Sequence, residues 1–154
     1  MAKTSAGILV YRWHKNGPEL LLVHPGGPFF ARKDKGAWTI PKGELAEDEA
    51  PLAAAKREFR EELGLQITGD PIPLAPVTQK GGKKVLAWAI KQDIDISSYQ
   101  SNTFQMEWPP ASGKLQEFPE VDKAEWFSVD IAKEKINPAQ VAFIEELLEK
   151  LAHP

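Results

Sequence analysis

Three glutamates, Glu58, Glu61 and Glu62, crowd the end of the stretch GELAEDEAPLAAAKREFREELGL, Gly43 to Leu65. The run from Pro51 to Leu63 reads as a helix that stops at Gly64. Carboxylates at i and i+4 repel, and acids in a last turn face the negative end of the helix dipole. Each effect costs roughly 0.2–1 kcal/mol. Something must offset that charge, and divalent cations would do so. Mg²⁺ prefers carboxylate oxygens, usually one or two per ion, with water and substrate phosphate completing the octahedron.

With Glu58 at zero on a helical wheel of 100° per residue, Glu62 lies at about 40° and Glu61 at about 300°. All three share one face. Leu52, Phe59 and Leu63 cluster on a neighbouring arc that would meet the core, and Ala54 leaves the space beside the acids free of bulk. Arg57 and Arg60 flank the cluster, with Arg57 four residues before Glu61. The ordinary alternative is a solvated helix face laced with Arg–Glu pairs.

The wider spacing separates the two readings. Gly43, five residues, Glu49, seven residues, Arg57-Glu58, bulky Phe59, one residue, Glu61-Glu62, one residue, Gly64 and bulky Leu65 resemble, at every position, the signature of the Nudix hydrolases. The resemblance extends more loosely to WTIPKGE before the helix and EVDKAEWFSVD near the end. It implies an α+β fold, an α/β/α sandwich with a mixed β-sheet and the signature as loop–helix–loop. It also implies hydrolysis of a nucleoside diphosphate linked to another group, with Mg²⁺ or Mn²⁺ as cofactor and water attacking phosphorus. Carried onto this chain, Glu58 and Glu62 are the principal metal ligands, and Glu61 is a further ligand or the water-activating base. Glu49 either adds a ligand or pairs with Arg57. The carbonyl next to Gly43, that of Lys42, completes the metal set. Glu58, Glu61 and Arg57 form the catalytic group, Arg57 as the residue that holds the acids in place. Glu117 and Glu120 are later-loop alternatives for the base.

Specificity would lie outside the signature. The run Pro41-Lys42-Gly43-Glu44 resembles members that act on dinucleoside polyphosphates or diphosphoinositol phosphates, and a lysine at position 42 would place a point charge near phosphate. Arg32, Lys33, Lys35, Lys80, Lys83 and Lys84 are further cations for a phosphate-rich substrate. Phe29, Phe30, Trp38 or Trp88 could stack on a base, although Trp88 alternates with Leu86 and Ile90 as a core residue would. The substrate-binding set is therefore Lys42, Arg32, Trp38, Lys83 and Lys84. The expected substrate is a dinucleoside polyphosphate or a nucleoside triphosphate. The alternatives are an RNA 5′ end, a diphosphoinositol phosphate, or binding without cleavage by a nucleotide sensor. His14, His24 and His153 show no metal-ligand spacing and read as surface or packing residues.

Positioning these groups requires a sheet and two helices. Ile8 to His14 and Glu19 to His24 read as strands around a Lys15–Pro18 turn. Residues 25–37 form a long Gly/Pro-rich loop, Trp38 to Pro41 a short strand, and Gly43 to Glu49 a polar loop in which Asp48 could cap the helix. Further strands are expected at 71–78, 85–96, 104–108 and 125–129. A last helix would begin at Asn137-Pro138 with the apolar stripe Val141, Ile144, Leu147, Leu148 and Leu151.

Composition sets the outer limits. The 154 residues, 42% hydrophobic, suit one globular domain spanning 1–154. Without cysteine there is no disulfide, thiolate zinc site or cysteine nucleophile. A net charge of -3 gives no electrostatic case for a stable nucleic-acid partner. No segment reaches the roughly 20 apolar residues of a membrane span, so the expectation is a cytoplasmic monomer or homodimer whose partner is a small nucleotide or polyphosphate.

Overall fold

The computed structural model describes residues 3–153. Strand β1 (Thr4–His14) turns through Lys15-Asn16 into β2 (Gly17–Pro25), and the pair is antiparallel from Tyr11↔Leu20 to His14↔Gly17. Toward its start β1 pairs instead with the short β3 (Lys42–Glu44), Ser5 facing Glu44 and Gly7 facing Lys42. One edge of β1 is thus shared between two partners. On its other edge β1 runs parallel to β5 (Lys84–Lys91), which pairs antiparallel with β4 (Pro71–Thr78). The outer side of β2 takes β8 (Val121–Ser128). The sheet order is β4-β5-β1-β2-β8, with β3 beside β1. A separate hairpin joins β6 (Thr103–Glu107) to β7 (Leu115–Pro119).

Long apolar runs such as Ile8-Leu9-Val10 are fully buried because helices cover both faces of the sheet. Helix α1 (Pro51–Leu63) lays Ala55, Phe59 and Leu63 on one face with Ile8, Val10 and Leu21. Helix α2 (Val129–Lys135) and helix α3 (Val141–Ala152) cover the other, where Ala132, Phe143, Ile144 and Leu147 meet Leu9, Leu20 and Leu22. The expected α/β/α sandwich with a mixed sheet is therefore observed. Alternate residues of β1 feed different cores, as a pleat of period two requires.

Several local expectations change. Asp48 does not cap α1. The residue before the helix is Ala50, with no side-chain cap, and Pro51 opens the first turn. Lys42–Glu44 is a strand rather than loop, because Gly43 pairs with Ala6. Trp38 and Thr39 form only single bridges, Thr39 to Val23 and Trp38 to Ile136. The run read as 85–96 stops at Lys91. Helix α2 and strand β7 went unread, since Val129–Lys135 is short and Leu115–Pro119 is mostly exposed and lacks a clear apolar alternation. Asn137 starts a 3₁₀ turn, its side chain accepting from Ala139 N–H, before α3 begins. Among the described residues no helix is long and apolar enough to cross a membrane.

Candidate metal and catalytic site

Helix α1 ends where the sequence places the break. Gly64 adopts φ 66°, and its N–H donates to the Arg60 carbonyl at 2.7 Å. Two of the last carbonyls find donors in the segment before β6: Asn102 N–H meets Glu61 O and Gln100 N–H meets Leu63 O, both at 2.9 Å. That supplies partners for groups a helix end leaves open and fixes the last turn, with its glutamates, against the rest of the chain.

Within this turn Arg57 gathers the acids. Its Nε donates to Glu49 Oε2 at 2.8 Å and its Nη2 to Glu49 Oε1 at 2.9 Å. Its Nη1 reaches Glu58 Oε1 at 2.9 Å and Glu61 Oε2 at 3.0 Å. Of the two roles open to Glu49, the structure has it paired with Arg57. Glu49 also accepts from the Ala46 N–H, and these bonds, Arg57 first, hold its carboxyl down at about 2.

Glu62 is held differently. Its Oε2 is buried and has no hydrogen-bond partner. Burial, and then the neighbouring Glu58, push its carboxyl well above the ordinary range, against a pull from the Lys42 ammonium and backbone amide. Burial raises Glu58 also, with Arg57 opposing. The solvated helix face is therefore not what forms: only Glu61 of the three is substantially open, at 37% side-chain exposure against 13% for Glu58. Gly43 faces this group directly. A Cβ on Gly43 would fall within 3.0 Å of the Glu58 carboxyl carbon and both its oxygens, so only glycine lets β3 come this close. Among the described residues, no three His, Cys, Asp or Glu side chains converge on a single point.

Lys42 lines a cleft of about 240 Å³, together with Lys83, Phe30, Gln79, Asn137 and Gln140. Burial lowers the Lys42 pKa, and the nearby Lys83 adds to the effect, while Glu62, Glu44 and Glu58 pull it back up. Acidic turn and cationic cleft therefore meet at one residue. A larger hollow, about 430 Å³, lies along α3, but its Glu146 and Lys150 already pair at 3.2 Å.

A family model described as the NUDIX domain matches residues 1–147. The chain belongs to the Nudix family. It is 27% identical over 125 residues to Nudix hydrolase 5 of Arabidopsis thaliana, covering 80% of this chain and 36% of that protein. It thus spans little more than a third of that curated relative's length. Among solved structures it resembles a C. elegans Ap4A hydrolase binary complex, with a TM-score of 0.69, 22% identity and 98% of each chain covered. It also resembles the NUDIX domain of Shewanella oneidensis NrtR complexed with ADP ribose, with a TM-score of 0.69, 15% identity, and 98% and 89% covered. At these identities the likeness is one of fold.

In this Nudix chain the other sequence candidates divide. Lys83 lines the cleft, whereas Arg32 and Lys84 are exposed and do not. Trp38 is not free to stack on a ligand. It is 2% exposed, donates from Nε1 to Asp34 at 2.8 Å and packs edge-on against His24 and Phe127. Phe30 lines the cleft in its place. Burial, then Glu58 and Glu61, raise the Glu120 carboxyl, which places it beside the acidic turn, while Glu117 is exposed on β7. His24 is a packing histidine with a definite task. It is 2% exposed, its Nε2 donates to the Lys33 carbonyl at 2.6 Å, and its Nδ1 lies 2.7 Å from Asp122 Oδ1. Gln79, Asn137 and Gln140 were missed, since isolated amides in turns carry no pattern that ties them to Lys42.

Proposed function

We propose that this chain is a divalent-metal-dependent pyrophosphohydrolase that cleaves a phosphoanhydride bond of a nucleotide, a dinucleoside polyphosphate or a nucleoside triphosphate. The observation that carries the reading is the buried, unpartnered Glu62 Oε2 beside Glu58 and Lys42. A buried carboxylate oxygen without a donor is costly. A hard cation would satisfy it, and the all-oxygen donor set fits one.

Glu58 and Glu62, with the Lys42 carbonyl, would hold Mg²⁺ or Mn²⁺, and Glu61 would either join them or act as the base. When bound, the ion supplies charge neutralisation on phosphate oxygens and a lowered pKa for coordinated water. The protein's own residues do the rest. Arg57 keeps Glu58 and Glu61 in register while Glu49 anchors Arg57 from behind. The Lys42 ammonium meets the substrate's phosphate oxygens, and Lys83 extends the positive wall. Glu61 and Glu120 are the carboxylates left to accept a proton from the attacking water. Glu120 lies beside the acidic turn, where burial raises its carboxyl. The C. elegans Ap4A hydrolase, similar in fold, lends weight to a dinucleoside polyphosphate as the first substrate to try.

The test is hydrolysis of a panel of dinucleoside polyphosphates, nucleoside triphosphates and a 5′-triphosphorylated RNA, read by product masses with and without chelator. Metal-dependent cleavage that Glu62→Gln abolishes while the fold persists is the expected result. Full activity in chelator would overturn it.

A further inference from the structure

The cleft beside Lys42 has a fixed hydrogen-bond polarity that can be traced outward from backbone groups. The Ile40 N–H is unambiguously a donor and meets Gln140 Oε1 at 3.0 Å. That sets the Gln140 amide, for the opposite orientation would turn its NH₂ onto another donor. Its Nε2 then donates to Thr39 Oγ1 at 2.9 Å and to Gln79 Oε1 at 2.7 Å. The Thr39 hydroxyl has two inward acceptors for its own hydrogen, the Ile40 carbonyl at 2.9 Å and Gln140 Oε1 at 3.2 Å. Gln140 is fully buried and has no polar atom left to offer. Gln79 has its oxygen occupied, so its NH₂ is the end that remains.

Asn137 repeats the pattern. Its Oδ1 accepts from Ala139 N–H at 2.9 Å, leaving Nδ2 unspent. Among the described residues neither Gln79 Nε2 nor Asn137 Nδ2 has a protein partner, and neither is sealed from solvent. Both amides line the cleft, as do the cationic residues Lys42 and Lys83. The rest of the lining is Phe30, alanine, glycine, proline and the spent Thr39 and Gln140, with no carboxylate among them.

We propose that Gln140 is a positioning residue that locks the Gln79 amide with Nε2 toward the cleft, so that the cleft selects a group presenting hydrogen-bond acceptors and rejects donors. The group is either phosphate oxygens or the keto edge of a base. The inference rests on the reading of this cleft as the substrate's, and its test does not use turnover.

The probes are AMP, IMP and inorganic phosphate, none of which has a phosphoanhydride bond to cleave. Each is titrated calorimetrically, in Mg²⁺, into wild type, Gln79→Met, Gln140→Met, the double variant and Gln79→Glu. Losing a donor to a bound acceptor should weaken binding about tenfold in Gln79→Met. Gln140→Met should lose less, and the double variant no more than Gln79→Met alone, because Gln140 acts through Gln79. A merely structural role for Gln140 would make the losses add.

If the group is a keto edge, wild type prefers IMP to AMP, Gln79→Glu reverses that preference, and the uncharged Gln79→Met leaves binding of inorganic phosphate unchanged. If it is phosphate, Gln79→Met weakens all three probes alike. The proposal is overturned if wild type binds none of them, or if Gln79→Met and Gln79→Glu bind them as wild type does. Should Gln140→Met fail to fold, the Gln79 variants still decide. Unchanged binding in these variants with intact hydrolysis by wild type would sink this inference and spare the proposed function. Polarity-dependent binding with no hydrolysis of any anhydride would do the reverse.

Discussion

Arg57 and Glu49 are joined by two parallel hydrogen bonds of 2.8 and 2.9 Å, and the free side of the same guanidinium reaches Glu58 and Glu61. The fork of donors that makes this possible belongs to arginine alone. Arg57→Lys should therefore keep the charge and lose the geometry. We expect a fall in turnover of tenfold or more with a melting temperature within a few degrees of wild type. Steady-state kinetics beside a thermal melt would show it, and unchanged turnover would contradict the positioning role.

The same pair sets a pH window. The Glu49 carboxyl is held at about 2 against an ordinary 4.5. Its folded pKa is depressed, so its stabilising effect is complete above pH 4.5 and is lost as pH falls toward 2. Wild type should outlast Glu49→Gln in acid unfolding above pH 4.5, and the two curves should converge as pH approaches 2. Curves that differ equally at every pH would count against the assignment.

Glu62 behaves in the opposite sense. Its folded pKa is raised, so the folded chain gains most below pH 4.5 and loses that gain as pH climbs through the raised value. In chelator at neutral pH, Glu62→Gln should melt a few degrees above wild type, because the amide carries no charge to bury. Mg²⁺ should raise the melting temperature of wild type and leave that of the variant nearly unchanged. Scanning calorimetry with and without the ion checks both halves.

Gly43→Ala tests the close approach of β3 to α1. The added methyl collides with the Glu58 carboxyl, so the carboxylate must move or the strand must back away. Overpacking of this kind costs about 1–3 kcal/mol. The larger effect should fall on Mg²⁺ affinity, measured by titration, with at least a tenfold loss. A variant that binds the ion as wild type does would show that Glu58 has slack.

His24 ties residue 33 of the 25–37 loop to Asp122, the second residue of β8. His24→Leu breaks both bonds and leaves a carbonyl and a carboxylate to find water, a loss of about 1–3 kcal/mol. Hydrogen exchange should speed up in residues 25–37 more than in α1. Uniform change across the chain would argue that His24 does no more than fill space.

What sequence could and could not disclose follows from the range of the interactions. The acidic turn was readable because Arg57, Glu58, Glu61, Glu62 and Gly64 lie within about two turns of one helix, where spacing alone determines who shares a face. Strands β1 and β2 were readable because burial on both sides leaves continuous apolar runs. Trp38 misled because an indole with a polar handle suits a ligand or a core equally, and Asp34 and Phe127 decided between them. The amide chain from Ile40 through Gln140 to Gln79 joins residues 61 to 100 positions apart, and nothing local marks it. Strand β7 escaped because a mostly exposed edge has no period of two to detect.

Lys42 serves two compartments at once: its charge and its backbone amide act on Glu62, and the residue also lines the cleft. Under the proposed reading this makes one residue a ruler: the bond that breaks and the far end of the molecule are measured from the same mark, with no hinge between them. Cleavage should then fall a constant number of phosphates from the seated end, so lengthening the chain would lengthen one product and leave the other unchanged.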